Sequence, residues 1–99
     1  MFLRLWAFRP APGREAEFHR AYGPDGDWAR LFRRAQGFAG TELLSPADAG
    51  PWVTIDRWDG PEDWNRFRRE FAAEYEALDR ALEGLCAQEQ PIGDFVAPD

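Results

Sequence analysis

One stretch, Trp52 to Leu82, constrains the fold more than any other. Trp52-Val-Thr-Ile-Asp-Arg-Trp58 carries β-branched residues at its centre, which suit a pleated strand. Asp59-Gly60-Pro61 ends that strand, and Pro61 suits the first position of a helix, where its missing N–H would be unpaired anyway. Asp59 or Gly60 is placed to cap the helix, and Glu62 and Asp63 lie at the positive end of its dipole. Beyond them Trp64, Phe67, Phe71, Tyr75, Leu78, Leu82 and Leu85 recur at spacings of 3, 4, 4, 3, 4 and 3. That pattern predicts one apolar stripe on a single long helix. Arg66, Arg68 and Arg69 with Glu70 fall on other faces and read as a solvated surface. Trp52 and Trp58 point the same way from the strand, so any site is expected between this strand and this helix.

The rest of the chain supplies partners for that unit. Phe2 to Arg9 reads as a strand with Leu3, Leu5 and Ala7 on one face and Phe2, Arg4, Trp6 and Phe8 on the other. A helix is predicted from about Gly13 to Tyr22, and Gly23-Pro24-Asp25-Gly26 breaks it. Helical spacing resumes from Asp27 to Ala35 and stops at Gln36-Gly37, with Gly37 a left-handed terminator. Phe38 to Ser45 is a second strand, with Phe38, Gly40, Glu42 and Leu44 set against Ala39, Thr41, Leu43 and Ser45. Cys86 to Val96 is a last extended segment, where Pro91 and Gly93 point to an edge or bent strand. The order β-α-β-β-α-β is the ferredoxin-like, split βαβ arrangement: an antiparallel sheet with its helices on one face. Its strands are apolar on both sides, so a second subunit is expected over the bare face.

Ninety-nine residues make one domain, 1–99. The net charge of -6 disfavours phosphate backbones, so no nucleic acid partner is expected. All twelve basic residues are Arg, which reads as codon bias of a GC-rich bacterial genome. Cys86 is alone, in keeping with a reducing compartment. No signal peptide is evident and no apolar run approaches ~18 residues. These features point to a soluble cytoplasmic protein with no membrane partner.

Gly37-Phe38-Ala39-Gly40-Thr41-Glu42-Leu43-Leu44, Thr54-Ile55-Asp56-Arg57-Trp58 and the following Gly-Pro-Glu-Asp-Trp-Asn-Arg-Phe carry a resemblance. Together with the first strand and the helix opened by Pro-Gly-Arg-Glu, they resemble the antibiotic biosynthesis monooxygenase superfamily of dimeric α+β barrels, over roughly Phe2 to Phe95. The resemblance implies a homodimer paired sheet to sheet and a pocket in each subunit between sheet and helices. Some members oxygenate aromatic polyketides without metal or flavin, and some cleave haem. In the polyketide-type members a Trp closing the third strand, an aromatic early in the following helix and a strand Asn surround the substrate. The Trp carries over to Trp58 and the aromatic to Trp64, while the Asn position holds Thr54. The haem-degrading pattern needs an Asn on strand one and a His about ten residues after the helix Trp. Strand one has no Asn and the tenth residue after Trp64 is Glu74, so that pattern is not met.

The resemblance thus implies Trp58, Trp64 and Thr54 as catalytic candidates. Arg4, Trp6, Phe67, Phe71 and Tyr75 are the substrate-binding candidates, with no metal and no cofactor. Trp6, Trp52, Trp58 and Trp64 suit a flat aromatic ligand, and equally suit core or dimer packing. Arg4 could bind an anionic or phenolate group, or pair across the sheet with Glu42 or Asp56. His19, the only histidine, could act as a base but reads as a helix-surface residue. Cys86 reads as a buried inert thiol. Two functions follow: a cofactor-independent monooxygenase acting on a small aromatic or quinonoid compound, or a non-catalytic small-ligand-binding or structural dimer. An open cavity reaching Trp58 and Trp64, with polar atoms at its end, supports the first. A space filled by Phe67, Phe71 and Tyr75 supports the second.

Overall fold

The computed structural model describes residues 1–98. Strands β1 (Phe2–Pro10), β2 (Phe38–Leu44), β3 (Trp52–Trp58) and β4 (Cys86–Val96) form one antiparallel sheet in the order β2-β3-β1-β4. Helices α1 (Glu15–Tyr22) and α2 (Asp27–Phe32) join β1 to β2, and α3 (Pro61–Glu70) and α4 (Ala72–Ala81) join β3 to β4. This is the expected ferredoxin-like topology. All four helices send side chains to one core with the same sheet face, where Phe18, Phe32, Phe67 and Tyr75 meet Phe2, Phe8 and Trp58.

The predicted long helix is two helices. Phe71 leaves helical geometry (φ −114°, ψ 26°), yet its N–H still donates to the Phe67 carbonyl and its carbonyl accepts from Tyr75 N–H, both at 2.9 Å. Neither Pro nor Gly marks the bend, so local signals gave no warning of it. The bend orients α4 so that Tyr75 packs on Trp28 of α2, with ring centroids 4.9 Å apart. Helix α4 stops at Ala81, and Leu85, at the end of the predicted stripe, is buried from a turn instead. The Asp27–Ala35 segment is likewise shorter as a helix: after Phe32 it tightens into i→i−3 bonds, Arg34 N–H to Leu31 and Ala35 N–H to Phe32.

A bulge corrects the reading of β2. Phe38 pairs with Trp58 and Gly40 with Arg57, so Ala39 is the extra residue. Gly40 takes φ +129°, which a side chain would resist. The slip puts Phe38, Thr41 and Leu43 on the helix face and Glu42 and Leu44 on the outer face, whereas strict alternation grouped Phe38 with Glu42. Strand β4 is an edge strand, as Pro91 requires, and bulges at Ile92. The sheet face away from the helices presents Leu3, Leu5, Val53 and Ile55, flanked by the exposed side chains of Leu44 and Phe95. No helix among the described residues is long and apolar enough to cross a membrane.

Candidate functional site

Register places the helix-facing side chains of the sheet in rows. Phe38, Trp58, Phe2 and Val96 form an apolar row at one end. The next row runs Thr41, Asp56, Arg4 and Asp94 across all four strands. Beyond it lie Leu43, Thr54, Trp6 and Pro91. A polar row between two apolar ones, beneath a helical layer, is an expensive place for charge unless each group finds a partner. Two pairs meet that need. Thr41 Oγ1 donates to Asp56 Oδ1 at 2.7 Å, and Arg4 Nε donates to Asp94 Oδ1 at 3.1 Å.

Over this row the helices leave a half-open cavity of about 90 Å³. Arg4, Thr41, Thr54 and Asp56 form its floor, and Trp6, Trp28, Trp64 and Tyr75 are prominent in its aromatic wall. Phe8, Tyr22 and Phe32 complete the wall, and Asp79 and Glu89 stand at the exposed rim. Arg4 is held in place twice: by Asp94, and by the Trp64 ring, over which its guanidinium carbon sits 4.0 Å from the centroid.

Asp56 is the electrostatic centre of the floor. Burial pushes its carboxyl up from the ordinary value to about 6, against the opposing pull of the Thr41 hydroxyl and the Arg4 charge. No basic group lies within 4.0 Å of it among the described residues, because Arg4 turns to Asp94. A carboxylate with one hydroxyl donor and no ion-pair partner, titrating at about 6, suits proton abstraction from a bound acid. Burial also pushes up the hydroxyls of Tyr22 and Tyr75 and takes the Cys86 thiol to about 11, so none of these three is a ready nucleophile. Among the described residues no group of three or more His, Cys, Asp or Glu side chains could hold a metal ion.

The structure brings Thr54, Trp64, Arg4, Trp6 and Tyr75 together at this cavity and leaves Trp58, Phe67 and Phe71 outside it. Trp58 is fully buried between Phe32, Phe38, Trp64 and Phe67, and its indole N–H has no hydrogen-bond partner among the described residues. It packs behind Trp64, ring centroids 5.6 Å apart, and so supports the cavity wall without lining it. Phe67 fills the core, and Phe71 stacks on Phe67. His19 is exposed beside Trp52, and neither lines the cavity. Arg4 pairs with neither Glu42 nor Asp56: Arg57 takes Glu42 at 3.1 Å. Arg68 lies over the Tyr75 ring at 3.9 Å, while Arg66 joins Asp63 and Glu70, so part of the expected solvated face is engaged.

Sequence reasoning missed Asp56 as a site residue and missed Thr41 altogether. Alternation from Trp58 back through Asp56 to Thr54 was available as a signal for the first. The bulge at Ala39 hid the second.

No family model and no curated protein matches the chain. Solved structures do. MhuD, in a structure with two manganese protoporphyrins per active site, matches over 100% of this chain and 97% of its own at 18% identity, with a TM-score of 0.72. The Streptomyces coelicolor monooxygenase ActVA-Orf6, in complex with nanaomycin D, matches over 99% and 88% at 17% identity and 0.67. SnoaB, a cofactor-independent oxygenase from Streptomyces nogalater, matches over 99% and 91% at 25% identity and 0.58. The chain shares its fold with these proteins and with a putative antibiotic biosynthesis monooxygenase from Bordetella bronchiseptica, which matches over 98% of this chain and 97% of its own at 20% identity and a TM-score of 0.71. Within that fold the cavity of this chain lies between the sheet and the helical layer, with its aromatic wall from β1, α1, α2, α3 and α4 and its polar floor from β1, β2 and β3.

Proposed function

We propose that this chain is a cofactor-independent monooxygenase acting on a small aromatic or quinonoid compound. The observation that carries this reading is the Asp56 carboxylate, held without a cationic partner on the floor of an aromatic cavity. The similarity to a cofactor-independent oxygenase supports it.

The ring lies against Trp64 and Trp6, with its hydroxyl toward Asp56 and Thr54. Asp56 takes the phenolic proton, and the electron-rich phenolate passes an electron to O₂. Recombination forms a C–O bond and a peroxide anion, to which Asp56 returns the proton, and loss of water from the resulting hydroperoxide leaves the quinone. One O₂ is consumed and one water released for each quinone formed. The protein contributes orientation, exclusion of water and stabilisation of the developing anion by the Arg4 charge and the Thr54 hydroxyl. The cavity holds one ring, and the rest of a larger ligand extends through the open side. The working unit in this proposal is a homodimer, its two outer sheet faces covering Leu3, Leu5, Val53 and Ile55.

The test is oxygen uptake by the purified protein with a panel of naphthols, hydroquinones and anthrones. We expect O₂ consumption matched one to one by quinone absorbance, and loss of turnover with retained binding in Asp56→Asn. No uptake with any member, together with no quenching of tryptophan fluorescence, overturns the proposal.

A further inference from the structure

The rim of the cavity does not end at solvent in a neutral surface. Tyr22, Asp79 and Glu89 also line an adjoining depression of about 270 Å³, which adds Arg80, Glu83 and Cys86 among its walls. Cavity and vestibule together carry four carboxylates, from Asp56, Asp79, Glu83 and Glu89, against two guanidiniums, from Arg4 and Arg80. The Arg4 charge is already matched by Asp94, which lines neither space. Two further cations lie nearby and line neither space: Arg68 sits over the Tyr75 ring, and Arg14, which donates to the Gly84 carbonyl at the vestibule edge at 3.3 Å, is paired with Glu17 at 2.8 Å. Glu89 is fixed at the rim by the Tyr22 hydroxyl, which donates to its Oε1 at 3.3 Å. Clefts that carry one sign of charge between low-dielectric walls concentrate ions of the opposite sign. Faces of Trp and Tyr rings attract cations as well.

We infer that the ligand of this site is an aromatic compound bearing a protonated amine at its solvent end, with the ring in the cavity and the ammonium between Asp79 and Glu89. The inference rests on the oxygenase reading for the ring's position and goes beyond it in naming the charge of the substrate. A carboxylate at the same place would face three rim carboxylates against Arg80 in the vestibule lining, with Arg14 at its edge already paired with Glu17, so acidic aromatics are disfavoured.

Three naphthalene probes of like shape separate the possibilities: 1-naphthylmethylammonium, 1-naphthalenemethanol and 1-naphthaleneacetate. Each is titrated calorimetrically against the full chain at pH 7.5, at low and at raised salt. We expect the ammonium to bind at least about tenfold tighter than the alcohol and the carboxylate weakest, with the spread narrowing as salt screens the rim. In the double variant Asp79→Asn, Glu89→Gln the preference should fall to about twofold or less. Both substitutions are isosteric and at exposed positions, and the glutamine keeps an acceptor for Tyr22. A carboxylate that binds as tightly as the ammonium, or a preference that survives the double substitution, overturns the inference and leaves the oxygenase reading standing. Failure of all three probes to bind overturns both.

Discussion

Arg4 stands directly opposite Asp56 in the β1–β3 register, yet its guanidinium bonds Asp94 on the other neighbouring strand. The consequence is a carboxylate that feels a positive charge without being neutralised by it. That intermediate condition places Asp56 near 6, between an ion pair and an isolated buried acid.

The first prediction follows from the sign of that shift. Folding raises the Asp56 pKa from 3.8 to about 6, so the folded state holds the proton more tightly than the unfolded chain. Its contribution to stability is greatest below pH 3.8 and is lost as pH rises to about 6 and beyond. Asp56→Asn keeps an acceptor for Thr41 and removes the buried charge. It should therefore stabilise the protein by ~1–3 kcal/mol at pH 8 and change little at pH 4. Thermal melts of both proteins across that range decide it; equal melting temperatures at pH 8 count against a strained Asp56.

Catalysis should show the same group. If Asp56 is the base, kcat/KM rises with pH through a midpoint of about 6. Arg4→Ala removes a nearby positive charge and should move that midpoint upward. A midpoint unchanged by Arg4→Ala would show that the titrating group is elsewhere.

Trp64 and Trp58 should separate binding from stability. Trp58 is fully buried in the core and lines no cavity, so Trp58→Ala should cost ~3–5 kcal/mol, as should Phe67→Ala. Trp64 is only partly buried and faces the cavity, so Trp64→Ala should cost clearly less while abolishing aromatic-ligand binding. Denaturant titrations beside ligand titrations give both numbers. Equal destabilisation by Trp64→Ala and Phe67→Ala, with unchanged binding, would place Trp64 in the core alone.

The outer sheet face should bury itself. Light scattering at micromolar concentration is expected to give about twice the 11.4 kDa chain mass, and Ile55→Asp to give the single-chain mass with the helices intact by circular dichroism. A parent protein that runs as a single chain refutes the dimer.

What the sequence determined by itself is the set of elements and their order. The Trp52–Trp58 strand, the Asp59-Gly60-Pro61 stop and the split βαβ order are local matters, set by β-branching, backbone chemistry and period. Pro91 likewise announced an edge strand. The candidate site was legible in part: the family resemblance pointed to Trp64 and Thr54, while Trp6, Tyr75 and Arg4 could be named as large or polar residues at helix- or strand-spaced positions. Three things were left to the tertiary structure. The bend at Phe71 has no local breaker, and α4 leaves the line of α3 as Tyr75 packs on Trp28. The bulge at Ala39 turns Thr41 to the helix face, and alternation cannot foresee an inserted residue. Finally, which of two carboxylates Arg4 would take depends on how three strands align. Choosing Asp94 leaves Asp56 with a hydroxyl, a raised proton affinity and an open cavity above it.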